Sequence, residues 1–300
     1  MKIHYLATTL CALYCISQPV AAACNTVFTA IDAIQGSTDS SPLVGQQLIT
    51  QGVVTAVLYQ NSPAAGIVLR STARGNSAAA NSLFIADATA ASIYQAGQVL
   101  QVSGTVAELN QLTSLTQVSD IKLCDEQASV QPVTLRLPLL PGQNWEQLEA
   151  ALLSFDMPLT VNDTYGLLRF GEVTLADQRL MVPTEIMQPG KAAAELNITQ
   201  QQRHMLVLDD GLATQNPEPL KLGNRRITAD STLRVGDTVT GVSGILLQDE
   251  RGYRLVPTAT PQFTSSNPRP EAPAAKPAVA LRIASFNVLN YFNGEGQSPA

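Results

Sequence analysis

Residues 45–52, GQQLITQG, and residues 97–104, GQVLQVSG, share the pattern Gly-Gln-x-Leu-x-x-x-Gly. In the second copy Leu100, Val102 and Val106 fall on one face and Gln101, Ser103 and Thr105 on the other, the period of a strand with one buried side. A glycine inside such a strand weakens it, unless the strand bends so sharply that a side chain has no room. Two long bent strands of this kind constrain the chain to a small, strongly curled β structure. The runs between and around them agree: GIVLRS (66–71), SLFIAD (82–87) and LTSLTQVSDIKLC (112–124) are short, rich in Val, Ile, Leu and Thr, and separated by turn residues. Five short strands in this stretch predict a barrel of the OB type, with residues 24–126 as its bounds.

The pattern recurs. SLFIAD followed by AGQVLQVSGTV is echoed by MLVLDDG (205–211) followed by VGDTVTGVSGI (235–245). The echo predicts a diverged duplication, a second OB-like barrel over residues 130–263. Its opening, PGQNWEQLEAALLSF, predicts a helix capped by Asn144, with Trp145, Leu148, Leu152 and Phe155 on one face. Residues 264–278 are rich in Pro, Ala and Ser and read as an extended linker. From 279 an apolar run, with Leu281, Ile283 and Phe286 buried, reads as the first strand of a further domain. The fold class is therefore mainly β: two tandem OB-like barrels, a linker, and the start of an α/β domain.

Residues 1–23 have the form of an export signal: Lys2, an apolar core over Leu6–Ile16 too short to span a bilayer, then small residues before Cys24. Export places the chain outside the cytoplasm, secreted or periplasmic, with no membrane span beyond the signal. Cys11 and Cys15 leave with it. Cys24 and Cys124 remain, and in an oxidising compartment an even pair predicts a disulfide, contributing about 4–5 kcal/mol for so long a loop. The other reading is lipidation of Cys24, although Ala21 stands where a lipid-attachment signal usually carries Leu.

Charged residues make up only 14% of the chain and the net charge is −6, which argues against a strongly basic face for a phosphate backbone. OB barrels also stack bases on aromatic rings. Aromatics are 5% of the chain: Tyr59, Phe84 and Tyr94 in the first barrel, Tyr165, Phe170 and Tyr253 in the second. Phe84 lies in an apolar strand and reads as core, so Tyr59 and Tyr94 are the stacking candidates. Asp177, Asp209–Asp210 and Asp249–Glu250 match no known calcium loop and read as turn carboxylates. His204 reads as a surface or capping residue. Serine-hydrolase, P-loop and HExxH or CxxC zinc motifs are missing from the sequence.

The segments NWEQLEAALLSFDMPLTVNDTYGLLRFGEVTLADQRLMVPTEIMQPG, RRITADSTLRVGDTVTGVSGILLQDERGYRLVPT and LRIASFNVLNYFNG resemble the secreted bacterial nucleases of the ExeM/NucH type. These place an OB-like module before an endonuclease/exonuclease/phosphatase domain. The resemblance implies an exported, Mg²⁺-dependent deoxyribonuclease or phosphodiesterase acting on extracellular DNA, with residues 279–300 as the start of its catalytic domain. It implies that Asn287, at the end of the first core strand, is a catalytic residue that helps hold the metal and the scissile phosphate. An amide oxygen is a suitable hard ligand for Mg²⁺. The implied mechanism also needs two histidines, and the chain has only His4 and His204. These 300 residues are therefore expected to be inactive alone. The alternative is an exported OB-type nucleic-acid-binding module without catalysis. Neither reading implies a protein partner.

Overall fold

A computed structural model describes residue 24 and residues 27–71, 81–125, 128–271, 281 and 283–285. The chain divides into a compact unit ending at Asn267 and a second unit from Pro268.

The compact unit opens with α1 (Ile31–Gln35), followed by β1 (Gln47–Leu58), β2 (Gly66–Ser71), β3 (Ser82–Ile85), α2 (Ala88–Ile93), β4 (Val99–Leu109) and β5 (Leu112–Asp125). The strands close in the order β1-β2-β3-β5-β4. All neighbours are antiparallel except β3 and β5. Leu69, Leu83, Ile85, Leu100, Val102 and Leu115 fill the interior, with Ile31 and Ile34 of α1 and Ala90 and Ala91 of α2 packed against them. The patterned glycines lie where the strands crowd their neighbours. A Cβ on Gly52 would sit 2.6 Å from the Arg70 carbonyl oxygen, and one on Gly104 2.8 Å from that of Thr116. The expected disulfide is formed between Cys24 and Cys124, with their Cα atoms 5.4 Å apart.

The second half adds β6 (Val133–Leu135), β7 (Leu152–Phe155), β8 (Leu159–Asp163), α3 (Leu167–Phe170), β9 (Val173–Ala176), α4 (Pro183–Ile186), α5 (Lys191–Thr199) and β10 (Met205–Leu208). Then come the hairpin β11 (Lys221–Leu222) and β12 (Arg225–Arg226), and β13 (Thr238–Thr240), β14 (Ser243–Asp249), β15 (Gly252–Pro257) and β16 (Gln262–Thr264). Here β8 pairs with β9, β9 with β10, β10 in parallel with β15, β15 with β14, and β14 with β7. β13 also pairs with β8. If β7–β8 and β13–β14 are each taken as one broken strand, the cyclic order is that of the first barrel. Pro158, which lacks an N–H, falls at the first break. The second break falls at Gly241, one residue more than GQVLQVSG has, held at φ +67°. Gly97 and Gly236, the paired glycines of the internal echo, both precede their strand at φ +95°. The repeat in sequence is thus a repeat in topology, and both barrels are of the OB type.

Three expectations are corrected. The helix expected from Asn144 is a single 3₁₀ turn, Glu146–Leu148. Asn144 Oδ1 does accept from the Gln147 N–H at 2.9 Å, but Ala150 at φ +55° ends the turn. Leu152 and Phe155 lie in strand β7, not on a helical face. The fold continues into the segment read as linker, because Asp237 Oδ1 accepts from the N–H groups of Ser266 and Asn267. Finally, Leu281 and Ile283, read as buried, are 83% and 84% exposed. Of residues 279–300, only 281 and 283–285 are among those described. The export signal, Phe286 and Asn287 lie outside the described residues.

The barrels are not separate beads. Ala56, Leu58, Val68, Phe84 and Leu112 on the outer face of the first form one buried cluster with Ala150, Leu152, Ile245, Leu247 and Val256 of the second. Glu149 is sealed at this seam, 1% exposed, and accepts from the Thr113 N–H at 3.1 Å. Burial pushes its carboxyl up to about 8.

Candidate functional site

An OB barrel binds ligands on its second and third strands, between the loop joining strands one and two and the loop joining strands four and five. Both barrels have a hollow at this position.

In the second barrel, Val173, Leu175, Leu206 and Leu208 point into the core, so Thr174, Met205 and Val207 face out. They floor a cleft of about 560 Å³. Met181, Val182 and Gln201, from the 177–204 connection, form one wall, and Arg251 and Tyr253 the other. A side hollow beside Thr174 and Val207 leads to Tyr165 and Phe170 on the loop between β8 and β9. Tyr165 is 93% exposed, an unusual position for so large a ring. The Arg251 guanidinium lies over the Phe170 ring at 4.2 Å from its centre, and that of Arg169 at 5.0 Å. The result is an exposed aromatic platform beside two cations, on the ligand face of an OB barrel.

In the first barrel the same face is covered by the second. What remains is a cavity of about 660 Å³ between them. On one side are Tyr59, Pro63 and Ala64 of the β1–β2 loop, Phe84, and Asn110 of the β4–β5 turn. On the other are Phe170, Asp209, Leu212, Asp249, Arg251 and Arg254. Phe170 and Arg251 line both hollows, which therefore meet.

Ionic contacts fix this junction. Glu172 receives Arg254 Nη1 at 2.6 Å and Arg251 Nη1 at 3.0 Å. Arg254 Nη2 donates to Asp249 Oδ1. Among the described residues Asp209 and Asp210 are left without an ion pair. Their oxygens cap the turn, with Asp209 Oδ1 accepting from the Gly211 N–H at 2.7 Å and Asp210 Oδ1 from that of Leu212 at 2.8 Å. Burial pushes Asp209 up to about 7 and Asp210 up to about 6.

Tyr59 is half-buried in the cavity, and burial raises its phenol further above the usual range, so it stays protonated. Tyr94 does not join it. It closes α2 and packs on the core of the first barrel, lining neither hollow, and burial raises its phenol. Aromatic content alone could not tell a lid on the core from a stacking platform. Phe84 is buried as expected, although it faces the seam rather than the barrel interior. His204 Nδ1 bonds Asp177 Oδ1 at 2.8 Å, a structural pair. Arg169 and Arg251 escaped the sequence reading. Their signal was an arginine beside Phe170 and another in the Asp249–Gly252 turn, and only the fold brings them together.

Fold and hollows together define a tandem OB-barrel protein. A family described as "Domain of unknown function (DUF8508)" matches residues 142–267, the second barrel up to the end of the compact unit. No curated protein matches the chain. Among solved structures the chain is similar to fission yeast Pot1 with single-stranded DNA, at 10% identity and a TM-score of 0.30, covering 80% of this chain and 88% of that one. It is also similar to a murine DNA-binding protein bound to double-stranded DNA, at 9% identity and a TM-score of 0.29, covering 73% and 97%.

Proposed function

We propose that the two barrels form an exported module that binds single-stranded nucleic acid, bases inward and phosphates outward. The observation that carries this reading is the junction itself: two OB ligand hollows meeting at Phe170 and Arg251, with Tyr165 exposed beside them. The acidic interior repels phosphate but offers acceptors to base N–H groups. Of the two cations at the platform Arg251 is already held by Glu172, leaving Arg169 for the backbone, so few counterions are released there and the salt dependence is shallow. The test is fluorescence anisotropy with a labelled dT 12-mer over a salt series. Tyr165→Ala should weaken binding by about 5- to 150-fold, the worth of one stacked base, and leave the melting temperature unchanged. Absence of binding at low salt refutes the reading.

A second reading, favoured by the resemblance of residues 281–294 to the ExeM/NucH nucleases, makes this module the DNA-presenting part of an exported Mg²⁺-dependent endonuclease. Asn287, the residue implied at its metal site, lies outside the described residues. Among the described residues no group of three or more His, Cys, Asp and Glu side chains is placed to share a cation, so they do not fit the Mg²⁺ site and no catalytic step is derived. This chain incubated with plasmid DNA and Mg²⁺ should leave it intact, and cleavage would overturn the expectation that it is inactive alone.

A further inference from the structure

The inter-barrel cavity holds two polar groups that the fold leaves unused. Asp209 is only 4% exposed, yet its Oδ2 takes no hydrogen bond among the described residues. The arginine that could neutralise it, Arg254, is already engaged by Glu172 and Asp249. On the same cavity wall as Pro63 and Ala64, the Tyr59 hydroxyl likewise has no partner among the described residues. Neither atom is sealed off: the side-chain atoms buried without a partner among the described residues are Asp210 Oδ2 and Arg254 Nε, so Asp209 Oδ2 and the Tyr59 hydroxyl open onto the cavity. Two unengaged polar groups on a cavity that presents apolar and aromatic surface, Phe84 and Leu212 among it, beside the charged Asp249, Arg251 and Arg254, are placed to orient a ligand.

The required ligand is flat, with one edge carrying N–H donors for Asp209 and an acceptor for the Tyr59 hydroxyl. The edges of the four bases differ in this respect. The pairing edge of guanine presents O6 as acceptor beside two adjacent N–H donors, N1–H and N2–H. Thymine has a single donor between two acceptors. Adenine and cytosine have one amino group beside acceptors that would face the carboxylate. Guanine alone matches.

We infer that the cavity between the barrels is a guanine site, with Asp209 accepting from N1–H and N2–H and Tyr59 donating to O6. The inference rests on the single-strand reading for its source of guanine. Free guanosine monophosphate carries the same edge, and the experiment separates the two.

The experiment is anisotropy with the full chain and labelled 12-mers: all dT, or dT with one central dG, 7-deaza-dG or dI. The dG strand should bind about tenfold more tightly than dT, the scale of one good bidentate base contact. Deaza-dG, which keeps the whole edge, should match dG. Inosine, which lacks the 2-amino group, should lose most of the gain. Asp209→Asn and Tyr59→Phe should each abolish the preference for dG, so that the dG and dT strands bind each variant alike. The base analogues decide the matter without any protein variant should Asp209→Asn fail to fold. If dT binds and dG adds nothing, the guanine site is refuted and the single-strand reading stands. If no strand binds but guanosine monophosphate does, the site stands as a mononucleotide site and the single-strand reading fails. If neither binds, both are overturned.

Discussion

Glu149 ties the stability of the barrel pair to pH in a way that can be isolated by one substitution. Its carboxyl is 1% exposed at the seam and is pushed from 4.5 up to about 8, first by burial and then by the nearby Glu146. A raised acid binds its proton more tightly in the folded state than in the unfolded chain. Its contribution is therefore fully present below pH 4.5 and is lost as pH rises to about 8. At about 1.4 kcal/mol per pH unit, the loss amounts to about 5 kcal/mol across that window. This is a large share of the 5–15 kcal/mol typical of a domain. Glu149→Gln keeps an oxygen for the Thr113 N–H but cannot ionise. Asp209 and Asp210 are raised too and add a slope of the same sign, so the informative quantity is the difference between parent and variant. Urea unfolding of both proteins from pH 4.5 to 8.5 should show parent stability falling relative to the variant by several kcal/mol. A flat difference curve would refute the placement of Glu149 in the seam.

Leu247→Ala removes a side chain buried between the barrels and should cost about 2–5 kcal/mol in urea unfolding, with both barrels unfolding in one transition; two separate transitions would contradict the shared core. Replacing both Cys24 and Cys124 by Ser opens a loop of sequence separation 100 and should lower stability by about 4–5 kcal/mol on the chain-entropy account, whereas an unchanged midpoint would contradict it. Gly244→Ala would bring a Cβ to 2.2 Å from the Val256 carbonyl oxygen. Because that oxygen is backbone and cannot swing aside, the variant should lose at least 1–3 kcal/mol, and a melting temperature equal to the parent's would count against the register of β14 on β15.

Much of the fold was legible because a barrel's constraints are local. The Gly-Gln-x-Leu pattern marked bent strands, and the echo between 82–106 and 205–245 marked the duplication. The helix from Asn144 was misread because Trp145 and Leu148 followed by Leu152 and Phe155 fit a helical period as well as a turn and a strand. Only the left-handed Ala150 separates the two. The site was less legible because it is made by packing one barrel on another. Tyr59 was singled out from aromatic content, and the structure places it after β1 on the cavity wall. Arg251 sits in a hairpin turn like any exposed arginine, and its place over Phe170 follows from the fold of the second barrel. Asp209 looked like a turn carboxylate, which it is, and nothing in its neighbours announced that its second oxygen would face a cavity.

The shared seam also bears on how such a domain travels between proteins. The matched family begins at Gly142, after the first barrel has ended. A copy of that domain alone would expose Leu152, Ile245, Leu247 and Val256 as a contiguous apolar face on the outside of its barrel. Any protein that carries the second barrel without the first must therefore bring its own cover for that face, from another domain, a partner chain or polar replacements at these four positions. Substitution patterns at 152, 245, 247 and 256 thus report whether a homologous barrel was built to be paired.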